Sequence, residues 1–207
     1  MAPKDLLARL RGTDDGERKC KVCSLASGKL PGEALRSEYY KRVIERYAEV
    51  ISFGEEKSIP ELKRLVAPGE CVRRKAAEFK GYRDALSFVQ KLPLLHSQLS
   101  VPFWLSPAET LELGAGDAID KAVLLCSLLI ATGAKARVRV LELAEGYKHA
   151  VVVFERDAGV FELLDACEGQ PLEGGSPDDA LQRYAFQGKQ YARSLYEFDA
   201  EGYDSFQ

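Results

Sequence analysis

Acid–base chemistry has few places to reside in this chain, because only two histidines occur among its 207 residues. One of them, His149, opens the segment "KHAVVVFE", and an aspartate, Asp165, closes the segment "GVFELLD". Both segments are rich in β-branched and aromatic residues and read as strands. The "RDAG" between them is short enough to join them as an antiparallel hairpin. With Glu155 paired to Gly159 around a three-residue loop, His149 faces Asp165 across the ladder. A slip of one residue would leave them close but change which side chains share a face. A carboxylate beside an imidazole holds one tautomer and supports positive charge on the ring, which is the orienting role in a catalytic triad.

A third corner lies upstream in "GAGDAIDKAVLLCSLL", Gly114 to Leu129. A glycine-rich turn leads into a long apolar helix. Unpaired amides and the helix dipole make the start of such a helix partly positive. A cysteine there would exist partly as thiolate, more so beside His149. Gly114 and Gly116 would let backbone and substrate approach closely. Yet position 118, in the first turn, is alanine. Asp117 and Asp120 read as residues that serve the helix N-terminus, and Lys121 as a solvated or ion-paired side chain.

The elements that must position these groups follow from pattern. Residues 1–32 are rich in Gly, Ser and charge after a possible short helix on Leu6, Leu7 and Leu10, and read as an irregular segment. From Glu33, Leu35, Tyr39, Val43, Ile44, Tyr47, Val50 and Ile51 recur at spacings of three and four, a helix that Gly54 ends. Ser58, Pro60 and Glu61 signal a short helix through about Val66. Another helical stretch runs from Cys71 to Lys91, interrupted at Gly81 and stopped by Pro93. Pro107 starts a short helix. The helix from Ala118 to Thr132 has almost no polar face, so it is buried, and Gly133 stops it. "KARVRVLEL" precedes the two strands above as a third. The expected architecture is α+β: a buried central helix packed on a small antiparallel sheet, preceded by a helical layer. Residues 33–207 form one domain, with a helical layer over 33–95, a catalytic core over 100–170 and a helical C-terminal tail over 176–207. That tail ends in acidic and aromatic residues that pack on the surface or fray.

The segment "ETLELGAGDAIDKAVLLCSLLIATGAKARVRVLE", followed by "YKHAVVVF" and "FELLDA", resembles the transglutaminase-like family of papain-type thiol enzymes. The resemblance covers roughly Trp104 to Ala166. It implies a papain/transglutaminase-like core in which Ala118 stands at the nucleophile position, where the family carries cysteine. His149 falls on the general base and Asp165 on the residue that orients it. The family often holds the oxyanion with an aromatic or amide donor near the nucleophile, which makes the Trp104 indole a candidate beside the backbone N–H at 118. The alternative for Trp104 is simple core or rim packing.

The other cysteines offer weaker chemistry. Cys126 lies two turns into the apolar helix and reads as core. Cys167 sits just past Asp165 but lacks a helix N-terminus. Cys20 and Cys23 form a lone CxxC. A structural zinc site needs four ligands, and Cys71 and His96 are the only plausible completers, so free thiols, a disulfide and a metal all stay open for that pair. No cofactor and no metal are expected.

Composition bounds the rest. A net charge of −3 argues against a broad basic surface for nucleic acid. No apolar run approaches the ~20 residues that span a bilayer, and the N-terminus lacks a signal-peptide core. A soluble, cytoplasmic protein is expected, of unknown oligomeric state. The chain has no asparagine and one methionine, which points to a thermophile, with codon bias as the alternative.

The resemblance therefore implies an enzyme whose parent form attacks peptide or carboxamide bonds through an acyl-enzyme, with hydrolysis favoured over transamidation. The chain as written lacks its nucleophile and is expected to be inactive. Ala118 reads most simply as an engineered inactivation, and the alternative is a natural pseudoenzyme that binds or scaffolds peptides. A third reading makes the helical first half a docking module for another protein.

Overall fold

The computed structural model describes residues 32–53, 59–95 and 104–206. The irregular segment, with Cys20 and Cys23, and also His96, lie outside the described residues.

The helical layer forms where its periodicity demands. Helix α1 (Gly32–Phe53) buries Leu35 and Tyr39, four residues apart on one face. Helix α2 (Ile59–Val66) buries Leu62 and Val66 at the same spacing. The stretch that Gly81 interrupts is two helices, α3 (Glu70–Ala76) and α4 (Tyr82–Gln90). Val72 and Ala76 of one, and Ala85, Leu86 and Val89 of the other, join a single core.

Helix α5 (Pro107–Leu113) starts with a capping box, in which Ser106 and Glu109 satisfy each other's backbone amides. Gly114, at φ +68°, ends it in the left-handed region that glycine adopts without strain. Helix α6 (Ala118–Ala131) follows, and every residue from Asp120 to Leu129 is buried. Its apolar circumference matches its surroundings, with α2, α3 and α4 on one side and the sheet on the other.

Strands β1 (Lys135–Leu143), β2 (Lys148–Asp157) and β3 (Val160–Leu164) pair antiparallel in sequence order. Ala150, Val152 and Phe154 face the α6 side, while Val151 and Val153 face a second cluster. Covered on both faces, the strand reads as a continuous apolar run.

Two expectations need correction. The region 176–207 is not a helical tail. It holds one short helix, α7 (Pro177–Leu181), while β4 (Leu172–Gly174) precedes it, and β5 (Ala185–Phe186), β6 (Lys189–Phe198) and β7 (Tyr203–Ser205) follow. The seven-stranded sheet has the order β4-β3-β2-β1-β6-β5, with β7 also on β6. Strand β6 pairs along β1 from Leu143↔Tyr191 to Val138↔Phe198. The physical reason is backbone demand: β1 has a second edge whose amides and carbonyls need partners. Ion pairs secure the union, with Arg137 reaching Glu197, Asp199 and Asp204, and Arg139 reaching Glu197 and Asp178.

The hairpin register also differs. Glu155 pairs with Phe161 rather than Gly159, and Asp157 pairs with Val160 across a bulge. The turn is thus the two residues Ala158 and Gly159, with Gly159 at φ +79°. The offset is two residues. An even offset preserves the face each side chain occupies, so His149 and Asp165 still lie on one side of the sheet.

Candidate active site

The dyad is built at one end of β2 and β3, on the sheet face opposite α6's apolar flank. His149 is fully buried, and its Nε2 lies 3.2 Å from Asp165 Oδ2. A carboxylate accepts, so this contact assigns the ring proton to Nε2. Nδ1 is buried and has no hydrogen-bond partner among the described residues. The ring stacks on Phe186, with centroids 4.0 Å apart and planes 19° from parallel. Phe186 lies in β5 and Tyr184 immediately precedes it, so the strand segment that corrects the tail also holds the histidine.

Asp165 is the more heavily tethered partner. Tyr184 donates its hydroxyl to Oδ2 at 2.6 Å, and the Cys167 backbone N–H donates to Oδ1 at 2.7 Å. The second bond is an Asx-turn just past the strand end, so Asp165 both starts a turn and faces the imidazole. Gln90, at the end of α4, donates its side-chain amide to the carbonyls of Asp165 and Gly169 and clamps the turn from outside. Burial pushes the Asp165 carboxyl up. The His149 contact and the donors from Tyr184 and Cys167 outweigh it, and the group sits below its ordinary value.

Ala118 is the first residue of α6 and is half-buried. The turn before it is fixed tightly. Asp117 caps the helix by accepting from Asp120 N–H, and Asp120 accepts in return from Asp117 N–H. Both aspartates thus serve the N-terminus as expected, and Asp120 also accepts from Leu105 N–H at 2.7 Å. Gly116 bonds to the 93–95 segment, accepting from Leu95 N–H at 2.9 Å. A Cβ at Gly116 would lie 2.7 Å from Asp120 Cβ, so this glycine is required by close packing inside the turn. Tyr39 of α1 reaches Asp117 Oδ2 at 3.5 Å.

Lys121 departs from expectation. It is 1% exposed, and its Nζ donates to the Leu92 carbonyl at 2.9 Å. Among the described residues the ammonium has no ion-pair partner; it satisfies the carbonyls of Gln90 and Leu92 at the end of the helical layer. Burial pulls its pKa down, against Cys167 and Asp165, which favour the charge. Asp117 and Lys121, from the first turns of α6, thus lie within electrostatic reach of the Cys167 thiol beside the dyad. That thiol is pushed far above its usual range by burial and by Asp165.

Trp104 packs flat on Phe198, with centroids 5.9 Å apart and planes 5° from parallel, inside the main core. Cys126 is fully buried there too, and burial raises its thiol well out of the reactive range.

A family model described as the CEP76 peptidase-like domain matches residues 102–186. The match spans Ala118, His149, Asp165 and Tyr184 and is less than half of the chain. No curated protein matches in sequence. Among solved structures, calcium-bound LapG of Legionella pneumophila superposes over 66% of this chain and 86% of its own, at 18% identity and a TM-score of 0.48. A Cytophaga hutchinsonii protein named as a candidate cysteine protease does so over 72% of this chain and 54% of its own, at 17% identity and a TM-score of 0.39. Superpositions this partial carry no argument about chemistry, which rests on the geometry itself.

Within the matched segment, the sequence pattern points to His149 and Asp165, which the structure brings together. It does not point to Tyr184, whose link to Asp165 depends on the unforeseen return of the chain through β5. Cys167 had a signal: it follows Asp165 by two residues, the spacing at which an Asx-turn holds the pair together.

Proposed function

We propose that the chain is a transglutaminase-like thiol-enzyme framework from which the nucleophile is missing, the Cys-to-Ala form of an enzyme acting on peptide or carboxamide bonds. The observation that carries this is the His149–Asp165 pair. The contact to Oδ2 commits the Nε2 proton and leaves Nδ1 as a buried lone pair without a partner among the described residues. The match to a peptidase-like domain over 102–186 supports the same reading.

In the parent form a thiol at 118 passes its proton to His149 and attacks the carbonyl carbon. His149 returns the proton to the leaving amine, and an acyl-enzyme forms, which water then hydrolyses. Backbone N–H groups at the start of α6 face the developing oxyanion, with Trp104 as a further candidate donor. A methyl group at 118 forms no bond to the substrate. Loss of a nucleophile from such a unit costs on the order of a million-fold in rate.

The test is Ala118→Cys. That thiol is expected to be alkylated by iodoacetamide near neutral pH, ahead of every other cysteine, and the protein to hydrolyse a peptide or glutamine carboxamide. Adding His149→Ala should slow the alkylation. Absence of both alkylation and turnover would overturn the proposal.

A natural peptide-binding module is the second reading, and one observation favours it. His149 and Asp165 have structural work of their own, the ring stacked on Phe186 and the carboxylate tethered by Tyr184. Both residues would then persist without catalysis. On that reading the Ala118→Cys protein stays inert while the chain still retains peptides.

A further inference from the structure

We propose that His149, Asp165 and Cys167 together bind a divalent cation of the zinc class. The three residues offer a ring nitrogen, a carboxylate oxygen and a thiol sulfur, and these atoms all lie within 4.8 Å of one another. For a tetrahedral zinc with ordinary bond lengths, neighbouring donors stand about 3.4–3.6 Å apart. His149 Nε2 and Asp165 Oδ2, at 3.2 Å, already approach that span. Cys167 is half-buried beyond the end of β3, and rotation of its side chain closes the remaining ~1 Å.

The donor set selects the metal. Calcium and magnesium take oxygen ligands. Thiolate with imidazole suits zinc and its neighbours. Three protein ligands leave a fourth position for water or a substrate carbonyl, the arrangement of zinc sites that do chemistry. As the metal–sulfur bond forms, the thiol proton leaves to solvent, and His149 would bind through Nε2 as the neutral ring, its proton moving from Nε2 to Nδ1.

The outer supports are already in place. Tyr184 O–H holds Asp165 Oδ2, the Cys167 amide holds Oδ1, and Phe186 fixes the plane of the imidazole. Such partners orient ligands and tune their basicity. Position 118 takes no part, and the metal site does not depend on the thiol-enzyme reading.

The test uses the full chain carrying Cys20→Ser and Cys23→Ser, which removes the lone CxxC as a competing site. Titration with Co2+ should give a near-ultraviolet sulfur-to-cobalt charge-transfer band and the visible bands of a four-coordinate ion, saturating at one equivalent. Further substitution of Cys167→Ser should abolish the charge-transfer band and weaken Zn2+ binding at least about a hundredfold. Cys71→Ser should change neither, and circular dichroism checks that each variant is folded. Absence of the band in the double variant overturns the proposal, whatever the behaviour of the others. A band that survives Cys167→Ser overturns it as well. Alkylation of an Ala118→Cys thiol is a separate measurement, so either idea can fail alone.

Discussion

The hydroxyl of Tyr184 lies 2.6 Å from Oδ2 of Asp165, the same oxygen that faces His149. Both partners are almost completely buried, so the bond joins the return of the chain through β5 to the end of β3. Hydrogen bonds to a buried charged group are among the strong ones. Tyr184→Phe keeps the ring and its packing and deletes the donor. It should lower stability by about 1.5–3 kcal/mol, read from urea unfolding. An unchanged midpoint would mean that the carboxylate does not depend on this donor.

The pH dependence follows from Asp165. Burial raises its pKa, and the contacts from His149, Tyr184 and Cys167 lower it further than burial raises it. A carboxylate whose folded value lies below its unfolded value, near ~4, contributes stability above that unfolded value. The contribution is lost as pH falls through the folded value. The stability gap between the parent chain and Asp165→Asn should therefore be widest near neutrality and shrink below about pH 4. Unfolding midpoints across that range check it, and a gap independent of pH would contradict it.

Gly116 provides a steric prediction. An added Cβ would meet Asp120 Cβ at 2.7 Å, and Asp120 is held by its bonds to Asp117 and Leu105 amides. Neither atom is the loose end of a flexible chain. Gly116→Ala should cost about 1–3 kcal/mol, as overpacking does. Gly114→Ala tests a different cause, the left-handed backbone at φ +68°, because open space surrounds its would-be Cβ.

The C-terminal strand can be tested through Phe198. It is fully buried, lies opposite Val138 in the ladder and stacks on Trp104. Phe198→Ala should cost about 3–5 kcal/mol, a value typical of a core aromatic. A small effect would return the last thirty residues to the surface role that their acidic composition suggests.

Several features are legible in the amino-acid sequence alone because they are written in local pattern. The apolar circumference of Ala118–Ala131 signals burial, Gly81 and Pro93 mark helix limits, and "KARVRVLEL" coincides with β1. Ser106 with Glu109 and Asp117 with Asp120 carry their capping geometry in a spacing of three. The pairing of His149 with Asp165 is also foreseeable. Side chains on a strand alternate with period two, so an even error in register leaves both on one face.

Tertiary structure alone decided what contacts these elements. Lys121 looks like a surface lysine in sequence, yet carbonyls from the end of the helical layer take its ammonium. "KQYARSLYEF" has no strong local preference, and it became a strand because β1 offered an open edge. Tyr184 met Asp165 only because that strand brought the chain back. Periodicity is a property of neighbours along the chain, whereas partners distant in sequence are selected by the free energy of satisfying buried polar groups and closing a core, which no local window contains.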